Sequence, residues 1–235
     1  MTPLRLSMVQ RQTAKLLSKS RAETVEVTVF AELDVTALIS LRADMRATGP
    51  APTITHFILA ALARTLAAHP TFNAHFTDDT LHLLPQADIG FAVSLENGDL
   101  ISPVLRDVGA LPLDGIALAA RGLAERARTG ALALADMKGA GFTFSSVGQT
   151  PVACFATPVI PVPQVAILAA MAVRAQPVVR GDAIGIAQIL PVSLSFDHRA
   201  LNGAAANAFL QTLADTLAAP EGLIAPALSD KRTKT

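Results

Sequence analysis

The chain has 235 residues, of which 51% are hydrophobic and only 16% are charged, and its 19 basic residues balance its 19 acidic ones. A balanced charge creates no long-range field for a polyanion, so we expect no nucleic-acid partner. No apolar run approaches the roughly 20 residues of a transmembrane helix, and we expect a soluble protein with no membrane contact. The single cysteine, Cys154, excludes an internal disulfide and a cysteine-based zinc site, which fits a reducing cytoplasm.

Hydrophobic periodicity in the first half predicts helices that alternate with short strands. Strict alternation begins at Val25 and is typical of a half-buried strand, whereas residues 53–68 are apolar almost all round and predict a buried helix. Asp78-Asp79 and Asn97-Gly98 predict hairpin turns. The predicted helices cover residues 6–20, from Asp34 or Thr36 to Met45, and 53–68; the predicted strands cover 25–35, 72–76, 80–84, 88–95 and 100–105.

The second half continues with two helices and three strands. Four prolines in residues 150–163 predict an extended loop that crosses between elements. The almost wholly apolar residues 164–173 predict a strand buried on both faces, joined to a neighbouring strand through the turn Arg180-Gly181-Asp182. The other predicted elements are helices at 113–129 and 204–217, a turn at 135–141, and strands at 142–148 and 183–196.

Irregular alternation of helices, strands and hairpins predicts an α/β fold with a mixed central β-sheet flanked by helices. We expect one domain over residues 1–235, with a core at 6–218 and a polar, frayed tail at 219–235. A buried helix carries His56, which we expect to be a core or rim residue. His75 and His82 lie on one hairpin, but no third ligand has suitable spacing, so no metal site is predicted.

The residues with catalytic chemistry lie at two strand ends. Asp197-His198-Arg199 follows the last strand, and a strand end also carries the hydroxyls of Ser145 and Ser146. A histidine can take a proton from a thiol or hydroxyl, and a hydroxyl can donate to the oxyanion formed when that nucleophile adds to a thioester. No glycine-rich nucleotide motif is present. The pattern therefore favours acyl transfer.

An ordered set of motifs resembles the catalytic domain of the dihydrolipoamide acyltransferases of 2-oxo acid dehydrogenase complexes, which share their fold with chloramphenicol acetyltransferase. The family's Asp-His-Arg-x-x-Asp/Asn-Gly motif stands here at 197–203, its Phe-Thr-Ile-Ser strand at 142–145, and its Pro-x-x-Ala-Ile-Leu segment at 163–168. Similar stretches occur at 27–38, 69–73, 89–93 and 100–104. The resemblance extends from about residue 6 to residue 218.

This resemblance implies that His198 is the general base and acid and that Ser145 donates to the tetrahedral oxyanion. It also implies a homotrimer that can assemble into a larger cage, and the histidine and serine of one site then come from different subunits. Coenzyme A and a dihydrolipoyl group would be the substrates. A lipoyl-carrying protein and 2-oxo acid dehydrogenase components would be the partners.

Several residue roles stay open from the sequence. Asn202 can cap the last helix or contact substrate. Asp197 and Arg199 are expected to pair and fix the turn, and Ser146 is expected to be structural. Cys154 is not expected to be a nucleophile, because no base is near it in sequence.

The chain departs from the family pattern in two ways. We expect no lipoyl or partner-binding domain, so the lipoyl group would come from another domain or chain. Pro161-Val162-Pro163 replaces the usual asparagine before the Pro-x-x-Ala motif, which leaves the acyl specificity open. A stand-alone acetyltransferase of a small alcohol or amine, and a non-catalytic scaffold of a multienzyme complex, remain alternative functions.

Overall fold

A computed structural model describes residues 5–96, 98–148 and 152–224. The helices are α1 Met8–Glu23, α2 Thr36–Thr48, α3 Ile54–Ala68, α4 Leu113–Arg128, α5 Gly203–Ala218 and α6 Glu221–Ile224. The strands are β1 Glu26–Asp34, β2 Ala74–Thr77, β3 Thr80–Leu83, β4 Ile89–Phe91, β5 Val93–Ser94, β6 Leu100–Ile101, β7 Val104–Leu105, β8 Phe142–Ser146, β9 Ala166–Ala170, β10 Arg174–Arg180 and β11 Ala183–Asp197.

A mixed sheet forms the centre of the fold, as the sequence predicts. Among the described residues it has seven strands in the order β1-β11-β9-β8-β4-β7, and β10 pairs with β11. The neighbours β4, β8 and β9 run parallel, whereas the remaining pairs are antiparallel. The hairpins β2-β3 and β5-β6 lie outside this sheet. The second hairpin surrounds the predicted Asn-Gly turn, although Asn97 itself lies outside the described residues.

Side chains of the long strand β11 alternate between the two faces of the sheet. The strand therefore contacts a different layer of the fold on each face. Val192, Leu194 and Phe196 point into the main core with helices α3 and α5. Ser193 and Ser195 point to the opposite face, yet both are completely buried. The crossing loop, residues 152–163, forms neither helix nor strand and lies on this second face, where the Ala156 N–H donates to Ser193 Oγ.

Two predictions about the second half are wrong. The segment between the two apolar strands is not a simple connection: residues 174–180 form β10, which pairs with the start of β11 through the predicted turn. Pro177 argues against a strand in the sequence, because proline is rare in strands. The structure accommodates this proline because β10 lies at an edge of the sheet. The tail does not fray at 219, since α6 follows at once and buries Leu223. Residues 225–235 of the predicted tail lie outside the described residues.

No helix within the described ranges is long and apolar enough to cross a membrane. In the same part of the chain, no three side chains of histidine, cysteine, aspartate or glutamate are grouped to hold a metal ion. His75 and His82 face each other across the β2-β3 hairpin, and His75 Nε2 is 2.8 Å from the Ala140 carbonyl oxygen. His56 is buried as expected, and its Nδ1 accepts the Thr53 N–H at the start of α3.

Gly141 allows a close approach that fixes the start of β8. A Cβ at this position would lie 2.2 Å from Asn73 Oδ1 and 2.8 Å from Leu84 Cδ1. The buried Asn73 cannot retreat easily, because its Nδ2 donates to the carbonyl oxygens of Leu84 and Gln86.

We expect Gly141→Ala to lower the free energy of unfolding by about 1–3 kcal/mol through overpacking. Urea denaturation measures the change. Gly109→Ala is the matched control, because nothing lies within 4 Å of the added Cβ there, and it should change stability by less than about 0.5 kcal/mol. Equal stability of the two variants would contradict the assigned contact.

Candidate active site

His198 lies in the tight turn between β11 and α5, where the sequence places it. Its backbone N–H donates to the Val25 carbonyl oxygen at 2.8 Å, which ties the turn to the residue before β1. The imidazole is exposed, and its ring centroid lies 5.8 Å from that of the buried Phe196. A proton-transferring group is thus presented to solvent from a backbone held on both sides.

The Asp197 carboxylate fixes this turn. Its side chain is only 2% exposed, and its Oδ1 accepts the N–H groups of Val25 at 3.2 Å and Arg199 at 3.1 Å. Arg199 also donates through Nε and through Nη2, the latter at 2.6 Å from Oδ2. The expected Asp197–Arg199 pair is therefore confirmed. The guanidinium of Arg199 also lies 4.8 Å from the ring centre of Phe76, within cation–π range.

The charge of Asp197 is stabilised despite its burial. Burial alone would raise the pKa of the carboxyl, but hydrogen bonds from Arg199 and Val25, with the positive charge of Arg199, hold that pKa below its usual value. The same interaction raises the pKa of Arg199. The pair therefore stays ionised at neutral pH.

Asn202 caps the helix that follows the turn. Its Oδ1 accepts the Ala205 N–H at 2.9 Å, and its own backbone is extended, as is usual for a cap. The capping role that the sequence suggests is confirmed. The cap uses only the side-chain oxygen.

Ser145 lies near the end of β8, on the same face of the sheet as Ser193. The strand registers place Ser145, Ala169, Ser193 and Phe30 in one row across four strands. Ser145 is half-buried, whereas Ser146 is exposed on the opposite face. The two hydroxyls therefore belong to different environments.

One chain does not bring His198 and Ser145 together. Ser193 is two strands away from Ser145, or roughly 9.5 Å, and His198 lies five residues beyond Ser193 along the chain, or roughly 16 Å. The resulting separation of about 19 Å far exceeds the ~3 Å at which both groups must approach one reacting centre. Each chain thus carries two separate halves of the predicted site.

Two cavities lie beside these halves. A groove of about 710 Å³ borders the His198 turn and has Asp197 and Arg199 in its lining. Val162 and Pro163, from the departure in the family motif, also line it. A smaller cavity of about 330 Å³ lies at the end of β8, and its polar lining includes Arg42, Thr53, Thr55 and Ser146.

Several site residues carry no signal that sequence reasoning used. Arg42 is one cation on an amphipathic helix, and only the fold brings it to the end of β8. Ser193 and Ser195 were visible as small polar residues in an alternating strand, but their partners are remote in sequence.

Cys154 is exposed, and Arg174 Nη1 lies 3.0 Å from its sulfur.

We expect Asp197→Asn to lower the free energy of unfolding by roughly 1.5–3 kcal/mol at pH 7, because hydrogen bonds to a charged group are lost. The folded pKa of Asp197 is lowered, so its contribution is present above the unfolded value near ~4 and is lost as pH falls through the folded pKa. Urea denaturation at several pH values should show the gap from wild type narrowing below about pH 4.

The exposed Asp44→Asn serves as the control for the loss of one charge, and it should change stability by less than about 0.5 kcal/mol. A pH-independent gap for Asp197→Asn would contradict the assigned role of the ion pair.

We expect Asn202→Ala to cost about 1 kcal/mol of stability through the lost cap, whereas Asn202→Ser should retain most of it because serine also caps helices well. Thermal denaturation of both variants tests this difference. An alanine variant as stable as the serine variant would show that the cap is unimportant.

Comparisons with known proteins support the resemblance read from the motifs. Residues 2–225 match the family model of the 2-oxoacid dehydrogenases acyltransferase (catalytic domain). The dihydrolipoyllysine-residue acetyltransferase component of the acetoin cleaving system of Bacillus subtilis is 35% identical over 216 residues, 90% of this chain and 54% of that protein. The corresponding component of the pyruvate dehydrogenase complex of Azotobacter vinelandii is 38% identical over 208 residues, 86% of this chain and 32% of that protein. The chain thus spans about half or less of these relatives.

Solved structures agree with the fold. A crystal structure of the Azotobacter vinelandii dihydrolipoamide acetyltransferase superposes with a TM-score of 0.90 at 34% identity, covering 95% of this chain and 94% of that one. Chloramphenicol acetyltransferase shares the fold, with a TM-score of 0.57 at 14% identity, covering 91% of this chain and 99% of that one.

The Azotobacter structure was used to study a serine, a histidine and an asparagine in the catalytic mechanism. In that enzyme the asparagine follows the histidine by four positions, as Asn202 follows His198, and the serine precedes the histidine by 52 positions, against 53 here. With the family match over nearly the whole chain, these features show that the chain belongs to the 2-oxoacid dehydrogenase acyltransferase family, as a catalytic domain of it.

Proposed function

We propose that the chain transfers a short acyl group between a dihydrolipoyl thiol and the thiol of coenzyme A. The observation that carries this proposal is the rigidly held, exposed His198, with Asn202 at the same spacing as in the Azotobacter enzyme and Ser145 within one position of it. Residues 1–235 would act as one catalytic domain in the reducing cytoplasm. The lipoyl group would be supplied by another domain or chain.

His198 acts first as a general base. Its neutral imidazole takes the proton of the attacking thiol, and the thiolate adds to the carbonyl carbon of the acyl thioester. The Ser145 hydroxyl donates a hydrogen bond to the tetrahedral oxyanion. When the intermediate collapses, the departing thiolate receives the proton from His198. Asn202 holds the turn through its helix cap, and its Nδ2 would face the substrate.

Because the two groups are about 19 Å apart in one chain, we propose that a site forms between subunits of a homotrimer, with Ser145 from one subunit and His198 from the next. The structure of a pyruvate dehydrogenase cubic core, with a TM-score of 0.88 at 34% identity, covers 95% of this chain and 94% of that one. A larger cage built from trimers is compatible with this likeness. Partners would include a lipoyl-carrying protein and 2-oxo acid dehydrogenase components.

The cavity at the end of β8 suits part of coenzyme A. Arg42 provides a cation, and the N-terminal turn of α3 at Thr53 and Thr55 provides a positive dipole end, which together favour phosphate groups. The hydroxyl of Ser146 adds a hydrogen-bonding group. The cavity lies at the end of β8 on the Ser146 side, so the thiol end of the molecule would pass around the end of this strand to reach Ser145 on the other face.

A mixing experiment tests the reaction and the shared site together. We expect His198→Ala and Ser145→Ala each to lose at least about 100-fold of the acyl transfer between acetyl-CoA and dihydrolipoamide. An equal mixture, unfolded and refolded together, should regain about a quarter of wild-type activity, since that fraction of sites in a random head-to-tail ring pairs an intact serine with an intact histidine. The measurement is chromatographic separation of free coenzyme A from acetyl-CoA, because the reaction leaves the total number of thiols unchanged.

Ser40→Ala is the control for Ser145→Ala, because it removes an exposed hydroxyl of α2 that lines neither cavity. It should retain the transfer to dihydrolipoamide. Absence of transfer by the wild-type protein, or full activity of His198→Ala alone, would overturn the proposed reaction. Two inactive variants that stay inactive after mixing would overturn the shared site.

A further inference from the structure

Two serines of β11 form a natural pair for comparison. Ser193 and Ser195 lie two residues apart on the same face of the sheet, and both have 0% exposure. A buried hydroxyl costs free energy unless it is hydrogen-bonded. The partner of each hydroxyl therefore indicates what the serine contributes to the structure.

The two partners differ. Ser195 Oγ lies 2.7 Å from Thr28 Oγ1 on the adjacent strand β1, so its hydrogen bond stays within the sheet. Ser193 Oγ instead accepts the backbone N–H of Ala156 at 3.3 Å, and Ala156 belongs to the crossing loop. Of these two hydroxyls, that of Ser193 is the one that links the sheet to the loop above it.

Other contacts hold the loop at the same place. Phe155 packs on Phe30, with ring centroids 5.2 Å apart, and Phe30 is directly opposite Ser193 in the β1-β11 register. Further along, the buried Ser20 hydroxyl donates to the Ile160 carbonyl oxygen. The loop is therefore held against the sheet at residues 155 and 156 and against helix α1 at residue 160.

This fixed segment lies close to Ser145. Ser145, Ala169 and Ser193 occupy one row across β8, β9 and β11, so Ser193 is about 9.5 Å from Ser145. The reacting carbonyl must come within ~3 Å of the Ser145 hydroxyl. An acyl chain that extends from this carbonyl along the row would meet the loop after a few carbon atoms.

We infer that Ser193 is a positioning residue for acyl selection: by holding Ala156, it sets how closely the crossing loop approaches the space beside Ser145. This inference rests on the proposed acyl transfer and on the role of Ser145 in it. Loss of the Ser193 hydroxyl loosens the loop at Ala156 and makes room for longer acyl groups. The Ser195 hydroxyl has no such effect, because it holds only β1.

The anchor is tested without reference to activity. Hydrogen exchange of the backbone amides, followed by mass spectrometry of peptides that cover residues 152–157, is compared for wild type, Ser193→Ala and Ser195→Ala. We expect exchange in this segment to be about three- to tenfold faster in Ser193→Ala, as the loss of one hydrogen bond implies. Ser195→Ala should match wild type in this segment. Equal exchange in wild type and Ser193→Ala overturns the inference.

The effect on selection is tested with a ratio. The measurement is kcat/KM for acetyl-CoA divided by kcat/KM for butyryl-CoA, each with dihydrolipoamide as acceptor. A loss of folded protein lowers both values and leaves their ratio unchanged. We expect the ratio to fall by about threefold or more in Ser193→Ala and to stay within about twofold of wild type in Ser195→Ala.

The outcomes separate the inference from the proposed function. A freed loop with an unchanged ratio, or the same shift in both variants, overturns the selection role of Ser193. If wild type transfers neither acyl group, the proposed function fails, and with it the selection role that rests on it, while the exchange comparison still decides whether Ser193 anchors the loop.

Discussion

The buried carboxylate of Asp197 is the constraint on which the site depends. A charge with so little exposure must be compensated where it lies, and Asp197 receives its hydrogen bonds from Arg199 and from the Val25 N–H. These donors lie on both sides of His198 in space, one in its own turn and one before the first strand. The backbone of His198 is thus held in place, while other side chains do not enclose its imidazole. It can meet a substrate or another subunit while its backbone stays in place.

The same hydrogen-bonded sheet also separates the two catalytic groups. Ser145 and His198 belong to strands whose registers are fixed through β9, so no rotation of side chains can close a gap of about 19 Å. Rigidity gives each group a precise direction, but it prevents a single chain from completing the site. Assembly is therefore part of the chemistry that we propose, in addition to any part it has in stability.

Local patterns predicted most of this fold, and long-range contacts account for what was missed. The alternation after Val25 and the apolar run in α3 are local signals, and the mixed sheet follows from them. β10 was missed because Pro177 is unusual in a strand and is tolerated there only at a sheet edge. His198, Ser145 and the Asn202 cap stand in short motifs. The bond between Ser193 and Ala156 joins residues 37 positions apart, and no local pattern indicates it.

The pairing of β1 with β11 also determines how the chain must fold. Glu26 lies opposite Asp197, and Asp34 lies opposite Ile189. The early strand β1 therefore cannot pair until the late strand β11 has been synthesised. Such remote pairing slows folding, because a long loop must close before the contact forms. During synthesis β1 therefore lacks its partner strand β11 until almost the whole chain has emerged. In this interval the unpaired strand, with Val27 and Phe30 among its apolar residues, is open to pairing with other chains and hence to aggregation.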